Sequence, residues 1–369
     1  MQGNGNTRLR ITVLFGGRSS EHEVSIMSAT NVVGALDPAK YDVLPVFITR
    51  EGRWLLSEFS DGSLATPEDG TELVLPAGGR GRALGLLPDG DVAELPRIDI
   101  LFPVLHGVYG EDGTVQGFAA TVGVPLVGCG VPGSATAMDK DIAKRLIAEA
   151  GLPTARSMTV HPHMVPDFAE VERTLGLPVF VKPACGGSSV GVSKVMSEEN
   201  FAAAVEEGFR HGGKLLAEEF VEGREIEFAV LEMPDGALVV SRPGEIAPSG
   251  VHGFYSYDAK YVDQDGAALM VPAELPDGVE AMMRETAAKT FRALGCDGMA
   301  RIDFFLRPDG RFVVNEVNTI PGFTDISMYS KAMAVSGIGY AEILDRLVEH
   351  GLARDSAANR TNSSLGKES

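Results

Sequence analysis

"FVVNEVNTIPG", residues 312–322, begins as a buried strand and stops being one midway. Phe312, Val313 and Val314 are apolar, but Asn315, Glu316 and Asn318 then set polar and acidic groups into the run, just ahead of a Pro-Gly stop. The preceding "RIDFFLRPDGR" (301–311) carries a second apolar run around Arg301 and Asp303, then a turn at Pro308-Asp309-Gly310. The two together read as a β-hairpin. Side chains alternate across a strand, so Arg301 and Asp303 share a face, as do Glu316 and Asn318. With a two-residue loop at Asp309-Gly310, Asp303 stands opposite Glu316 and Arg301 opposite Asn318, and opposed residues point the same way. A four-residue loop keeps that shared face, whereas a three-residue loop breaks it.

Two opposed carboxylates repel and lose hydration unless something positive lies between them. Oxygen ligands of this kind suit Mg²⁺, which takes a few carboxylates and completes its shell with water and phosphate oxygens. The alternative is a surface hairpin with solvated acids, and the Val, Phe and Ile neighbours count against it. Asp303, Glu316 and Asn318 are therefore the candidate metal ligands, with Arg301 beside them.

A bound phosphate needs a cradle and cations. "VKPACGGSSVGVSKV" (181–195) offers Lys182 at the end of a strand, then Gly186, Gly187, Ser188, Ser189 and Gly191 in a loop. Glycines let backbone N–H groups approach an anion, and serines add hydroxyl donors. A plain hairpin loop is the competing reading, and no Gly-Lys-Ser/Thr opens a helix here as in a Walker A loop. Lys140 falls in the first turn of the helix expected from "MDKDIAKRLIAEAG", where a cation opposes the helix dipole. That placement hints at a task elsewhere, although an exposed lysine reads the same way. "LLAEEFVEG" (215–223) places Glu218 and Glu219 after a strand, where acids can accept from an adenine amine or a ribose, or merely face solvent.

"GGRSSEHEVS" (16–25) and "LHGVYGEDGTVQG" (105–117) each follow an apolar strand, and strand ends are where open parallel sheets bind ligands. Neither is G-x-G-x-x-G, so a dinucleotide site is a poor reading. Glu21 and His106 are the substrate candidates; a helix-terminal acid and a packed histidine are the plain alternatives. Ser20 and Glu23 have capping-box spacing. "HGFYSYDAKYVD" (252–263) sets four aromatics around Lys260, as a lid over a nucleotide would, or as core tyrosines would.

The chain has 369 residues, enough for roughly two to three domains, and its 44% hydrophobic and 22% charged content is that of a globular protein. A net charge of −19 argues against nucleic acid or an anionic membrane as partner. The opening "MQGNGNTRLR" is polar, without the apolar segment of a signal peptide, and no run approaches the roughly 18 apolar residues of a membrane span. Three cysteines without paired spacing fit a reducing, cytoplasmic setting.

Strand-like and helical segments alternate, which predicts an α/β protein. "RITVLFGG", "YDVLPVFI" and "IDILFPVLHG" are near-continuous apolar runs, as buried parallel strands are. The expected organisation is an N-terminal open parallel-sheet domain over 1–130, with 51–97 as an elaboration, a central unit over 131–240, a C-terminal unit over 241–354, and a disordered tail over 355–369.

Taken in order, "LFGGRSSEHEVS", "LHGVYGEDGTVQG", "MDK", "VKPACGGSSVG", "YSYDAKY", "RIDFFL" and "NEVNTIPGFT" resemble the D-alanine–D-alanine ligase family of the ATP-grasp superfamily. The match spans residues 14 to about 327. The resemblance implies that the central and C-terminal units are ATP-grasp subdomains, α+β in character, with ATP between them. Lys140, Lys182 and Ser189 would meet its phosphates, Glu218, Glu219 and Val221 its adenine, and Glu225 its ribose. Family members commonly carry lysine at the position of Glu219, an exchange of little weight if the backbone makes the contact. Asp303, Glu316 and Asn318 would hold two Mg²⁺ ions, for which Mn²⁺ substitutes.

The implied reaction phosphorylates one D-alanine carboxylate and then lets the amine of a second attack it, giving a peptidoglycan precursor. Arg301 would stabilise the tetrahedral intermediate, and Glu21 would bind the first ammonium within a set that includes Ser188 and Tyr261. His106 would lie nearby, Gly322 and Ser327 would receive the second substrate, and Lys260 would close over the site. Tyr261 favours an amine over a hydroxy acid as second substrate. The family also implies a homodimer. Another ATP-grasp carboxylate–amine ligase, or a nucleotide sensor that has lost its chemistry, are the rival readings; retention of Arg301 and the metal ligands argues against the sensor.

Overall fold

The computed structural model describes residues 8–188, 190–248, 267–324 and 327–365. Leu9–Gly16, Tyr41–Ile48 and Ile100–Pro103 pair in parallel, with Leu9–Gly16 in the middle. Their continuous apolar character follows from burial on both faces: Ile11, Val13, Leu14, Phe15, Ile100 and Leu101 are fully enclosed. Four short antiparallel strands between Trp54 and Leu95 widen this sheet to seven, so the 51–97 segment is an edge extension of the first domain. The central strand ends at Gly16, where φ is +88° and a Cβ would lie 2.5 Å from the Ile48 carbonyl oxygen, so only glycine makes the turn. Helix His22–Ala35 follows at once. Glu21, not Ser20, is its N-cap residue, and no side chain caps it, so the Ser20–Glu23 capping box is not formed.

A four-stranded antiparallel sheet comprises Ser157–Val160, Leu215–Glu219, Val179–Pro183 and Ser193–Val195 in that spatial order. Helices Phe168–Leu175 and Glu198–His211 cover one face through Val171, Leu175, Phe201 and Val205. The next strand, Arg224–Glu232, was expected in the same unit. It pairs instead with Gly244–Pro248 on one side and Met299–Leu306 on the other, and Leu238–Val240 joins it. Residues 224–240 therefore belong to the six-stranded C-terminal sheet. The short "FVEG" link after Glu219 lets the chain change sheets, which composition does not reveal.

The hairpin of Met299–Leu306 and Phe312–Asn318 has the expected partners at its functional end: Arg301 opposite Asn318 and Asp303 opposite Glu316. It reaches them by a different route. Leu306 pairs with Phe312, and Arg307 N–H donates to the Arg311 carbonyl at 2.8 Å, leaving a three-residue loop at 308–310 with Gly310 at φ +80°. A three-residue loop alone would turn Glu316 into the core. A β-bulge corrects this, because Phe304 pairs with Val314 while Asp303 pairs with Glu316, which leaves Asn315 as the extra residue. Val314 and Val317 are consequently both buried, and Glu316 and Asn318 emerge together on the other face.

Helix Val279–Ala293 packs on the core face of this sheet against Ile226, Phe228, Ile302 and Phe304. Helix Tyr340–Leu365 buries Ile343, Leu344, Leu347 and Val348 in a cluster shared by the N-terminal sheet (Ile11, Val13, Ile100) and by Leu231 and Met299 of the C-terminal sheet. Residues 355–365, expected to lack structure, continue this helix to Leu365. Extension of an existing helix needs no new nucleus, so polar residues suffice. Among the described residues no helix is long and apolar enough to cross a membrane.

Candidate functional site

The face of the C-terminal sheet opposite its helix carries the polar hairpin groups. Arg301 donates to both oxygens of Asp303, Nε to Oδ1 at 2.8 Å and Nη2 to Oδ2 at 2.7 Å. Asn318 Nδ2 donates to Asp303 Oδ2 at 3.0 Å. Burial opposes the guanidinium charge, but Asp303 and Glu227 more than compensate and hold Arg301 firmly protonated. Lys140 Nζ lies 3.5 Å from Glu316 Oε2 and donates to the Gly186 carbonyl at 2.8 Å. Asp139 anchors that lysine's helix by accepting from the backbone N–H groups of Asp141 and Ile142. The lysine set against the helix dipole thus ties the glycine-rich loop to the hairpin.

The loop itself is held from the N-terminal domain. Ser188, in the left-handed region at φ +52°, donates its hydroxyl to Glu21 Oε1 at 2.6 Å. A Cβ at Gly187 would lie 2.9 Å from Glu21 Oε2, and one at Gly107 would lie 3.0 Å from the same oxygen. Glycine at both positions lets two backbones close on this carboxylate. His106 is buried; its Nδ1 donates to the Ile320 carbonyl at 3.0 Å and its Nε2 contacts Ser28 Oγ at 3.1 Å. Burial pushes its pKa down and keeps the ring neutral, so Nε2 accepts from the Ser28 hydroxyl.

Lys182 Nζ donates to Glu218 Oε1 at 2.7 Å, and Lys144 Nζ lies 2.6 Å from the other Glu218 oxygen. Burial would raise the Glu218 pKa, yet Lys182 and Lys144 hold it below the usual carboxylate range. Glu219 pairs with Arg156 at 2.7 Å. Val221 is buried just beyond the strand end, and Glu225 lies on the hairpin face of its own strand, opposite Phe305. Gly322 faces Ser327, whose Oγ accepts from Thr324 N–H at 2.9 Å. Ser189, Lys260 and Tyr261 lie outside the described residues.

Three residues join the site that sequence reasoning passed over. Glu227 stands opposite Asp303 and contacts Arg301; the period-two spacing of Glu225 and Glu227 was the available signal. Lys144 sits one helical turn after Lys140. Glu111, inside the "GEDG" stretch, accepts from Gly107 N–H at 2.8 Å and from Ile320 N–H at 2.9 Å. With His106 it grips both backbone polar groups of Ile320, just beyond strand Phe312–Asn318. Nothing local in the sequence marks that pairing across 209 positions.

Burial, then the Glu21 charge, raise Glu111 from the ordinary 4.5 to about 7. The folded protein therefore binds this proton more tightly than the unfolded chain. Its stabilising contribution is complete below about pH 4 and is lost as pH rises through 7. The wild type should lose about 3 kcal/mol between pH 4.5 and 7.5 through this group, and Glu111→Gln should lack that slope. Urea unfolding at both pH values measures it, and parallel pH profiles would refute it.

The donor set of two carboxylates and one amide, with no thiol or imidazole in it, fits a hard divalent cation that draws its remaining ligands from phosphate and water. Among the described residues no three His, Cys, Asp or Glu side chains form a metal-binding cluster of their own.

A family model described as the D-ala D-ala ligase N-terminus matches residues 10–129, and one described as the D-ala D-ala ligase C-terminus matches residues 146–349. The D-alanine–D-alanine ligase A of Brucella suis is 60% identical over 349 residues, covering 95% of this chain and 99% of that protein. Among solved structures, the D-alanine-D-alanine ligase from Coxiella burnetii aligns with a TM-score of 0.84 at 34% identity, over 98% of this chain and 99% of that one. The VanG D-Ala:D-Ser ligase from Enterococcus faecalis aligns at 0.81 and 34% identity, over 94% and 100% respectively. With both halves matched in order and the architecture shared along its length, the chain belongs to the D-alanine–D-alanine ligase family, ATP-dependent ligases of ATP-grasp fold.

Proposed function

We propose that this protein joins two D-alanine molecules at the expense of ATP, supplying the dipeptide for peptidoglycan. The observation that carries the reading is the convergence, on one sheet face, of Arg301, Asp303, Glu316 and Asn318 beneath a loop held by Glu21 and Ser188. One element set offers oxygen ligands and cations for a triphosphate, and the other offers a buried carboxylate for an ammonium.

ATP lies between the two sheets of the C-terminal two-thirds, with Lys140, Lys182 and Ser189 toward the phosphates. Glu218, Glu219 and Val221 flank the adenine and Glu225 the ribose. The side chains of Glu218 and Glu219 are engaged by lysines and by Arg156, so backbone groups there are the adenine partners in this reading. Asp303, Glu316 and Asn318 would hold Mg²⁺ or Mn²⁺, which when bound neutralises phosphate charge and makes the γ-phosphorus a better electrophile.

Glu21 pairs with the ammonium of the first D-alanine, leaving its carboxylate to attack the γ-phosphate and release ADP. The amine of the second D-alanine attacks the acyl phosphate, and phosphate leaves as the peptide bond forms. Arg301 is the donor for the oxyanion of that tetrahedral intermediate. No covalent enzyme intermediate is needed, so the protein contributes orientation and charge. His106 and Glu111 hold Ile320, two residues before Gly322, which with Ser327 would receive the second substrate. Lys260 would close over the site and exclude water, and Tyr261 would belong to the set that holds Glu21 and Ser188. A homodimer in the cytoplasm completes the reading, and light scattering tests for twice the 39.0 kDa chain mass.

The test is ADP release with Mg-ATP and D-alanine, L-alanine, or D-alanine with D-serine or D-lactate, each product identified by mass. Turnover on D-alanine alone, giving the dipeptide, is the expected result. A mixed product formed in preference to the homodipeptide would reassign the second substrate.

A further inference from the structure

Arg301 is paired with the carboxylates of Asp303 and Glu227, and Asp303 has a second duty. Both oxygens of Asp303 accept from the guanidinium, and Asn318 adds a further hydrogen bond to Oδ2. Asp303 is also a candidate metal ligand. These three bonds leave about one of its four lone-pair sites free, so a cation at about 2.1 Å takes charge from the same carboxylate and stands against the like-charged guanidinium. Metal and Arg301 therefore compete for one carboxylate.

Glu227 is placed to resolve that competition. It lies directly opposite Asp303 on the adjacent strand, is only 4% exposed, and its Oε2 is 3.1 Å from Arg301 Nε. Strand alternation puts it on the hairpin face with Arg301, while Ile226 and Phe228 on either side point into the apolar core. A buried carboxylate needs a cation close by, and Arg301 supplies one. Glu225, on the same face, is displaced along the strand to a position opposite Phe305.

Resting on the ligase reading above, we propose that Glu227 is a positioning residue: it keeps Arg301 on the hairpin face when Asp303 engages the metal. Glu227 acts through Arg301 and touches neither substrate nor ion. Without its charge, Arg301 leans more heavily on Asp303, which is then less available to a cation. The charge of Glu227 thus raises metal affinity indirectly.

The experiment is Mn²⁺ binding by electron paramagnetic resonance, with a non-hydrolysable ATP analogue, on the wild type and on Glu227→Gln, Glu227→Asp, Arg301→Ala and the Arg301→Ala/Glu227→Gln pair. Glu227→Gln should weaken Mn²⁺ about tenfold, the lower end of the scale for residues in the outer shell of a metal site. Glu227→Asp should recover most of the loss, and it carries the comparison if the glutamine variant does not fold. In the Arg301→Ala background the glutamine substitution should have no further effect. Unchanged Mn²⁺ affinity in Glu227→Gln would overturn the proposal. So would a tenfold loss that persists without Arg301, since Glu227 would then act on the ion directly. Failure of the ligase reading shows separately, as a wild type that binds Mn²⁺ and nucleotide but releases no ADP with D-alanine.

Discussion

Arg301→Ala is expected to lower kcat by about 10²–10³-fold, the scale on which removal of one oxyanion donor acts. The guanidinium is oriented by two bonds to Asp303 and one contact to Glu227, so little reorganisation is needed when charge develops on the substrate. On the proposed mechanism the loss should fall on kcat more than on the KM for ATP, because the donor would meet its partner only in the tetrahedral intermediate. Arg301→Lys keeps the charge but not the planar fork, and an ammonium cannot serve Asp303 at both oxygens while also reaching Glu227. It should remain about tenfold or more below the wild type. Steady-state kinetics with D-alanine checks both variants. A kcat for Arg301→Ala within threefold of the wild type would remove Arg301 from the chemistry.

Glu218→Gln is expected to destabilise the protein by about 3–5 kcal/mol, the scale of a buried ion pair that loses one partner. Glu218 is 5% exposed and stands between Lys144 and Lys182, at 2.6 and 2.7 Å. Burial already pushes the Lys144 pKa down, and without the carboxylate that lysine becomes an uncompensated buried cation. The melting temperature should fall by roughly 10 °C, at about 2–4 °C per kcal/mol for a unit of this size. KM for ATP should also rise, since Lys182 loses the group that orients it. Glu218→Leu with Lys144→Met should recover much of the stability, because a well-packed apolar replacement of a buried pair is often neutral. Calorimetry of the single and double variants decides the matter; a single variant that melts within 2 °C of the wild type would show that the triad contributes little.

Much of this site could be read before folding was considered. The alternation of Arg301 with Asp303, and of Glu316 with Asn318, is a local property of strands, and so is the apolar character that separates a buried hairpin from a solvated one. The glycines and serines after Lys182 likewise announce a loop that backbones can approach closely.

Harder to read was anything that depends on register or on contacts between distant segments. The hairpin reaches its predicted pairing through a three-residue loop and a bulge at Asn315, two departures that cancel. Ser188 meets Glu21 across 167 positions, and Glu111 meets Ile320 across 209. The assignment of 224–232 to the C-terminal sheet was likewise invisible, since a strand's composition states that it needs neighbours without naming them.

By itself, the sequence determined which residue types could do the chemistry and which of them share a strand face, because side-chain alternation and turn chemistry are set by adjacent residues. Only the tertiary structure decided which carboxylate answers which cation. Those pairings are fixed by strand register and by the packing of the terminal helix across both sheets, and they are determined by the burial of the whole chain rather than by any stretch of it.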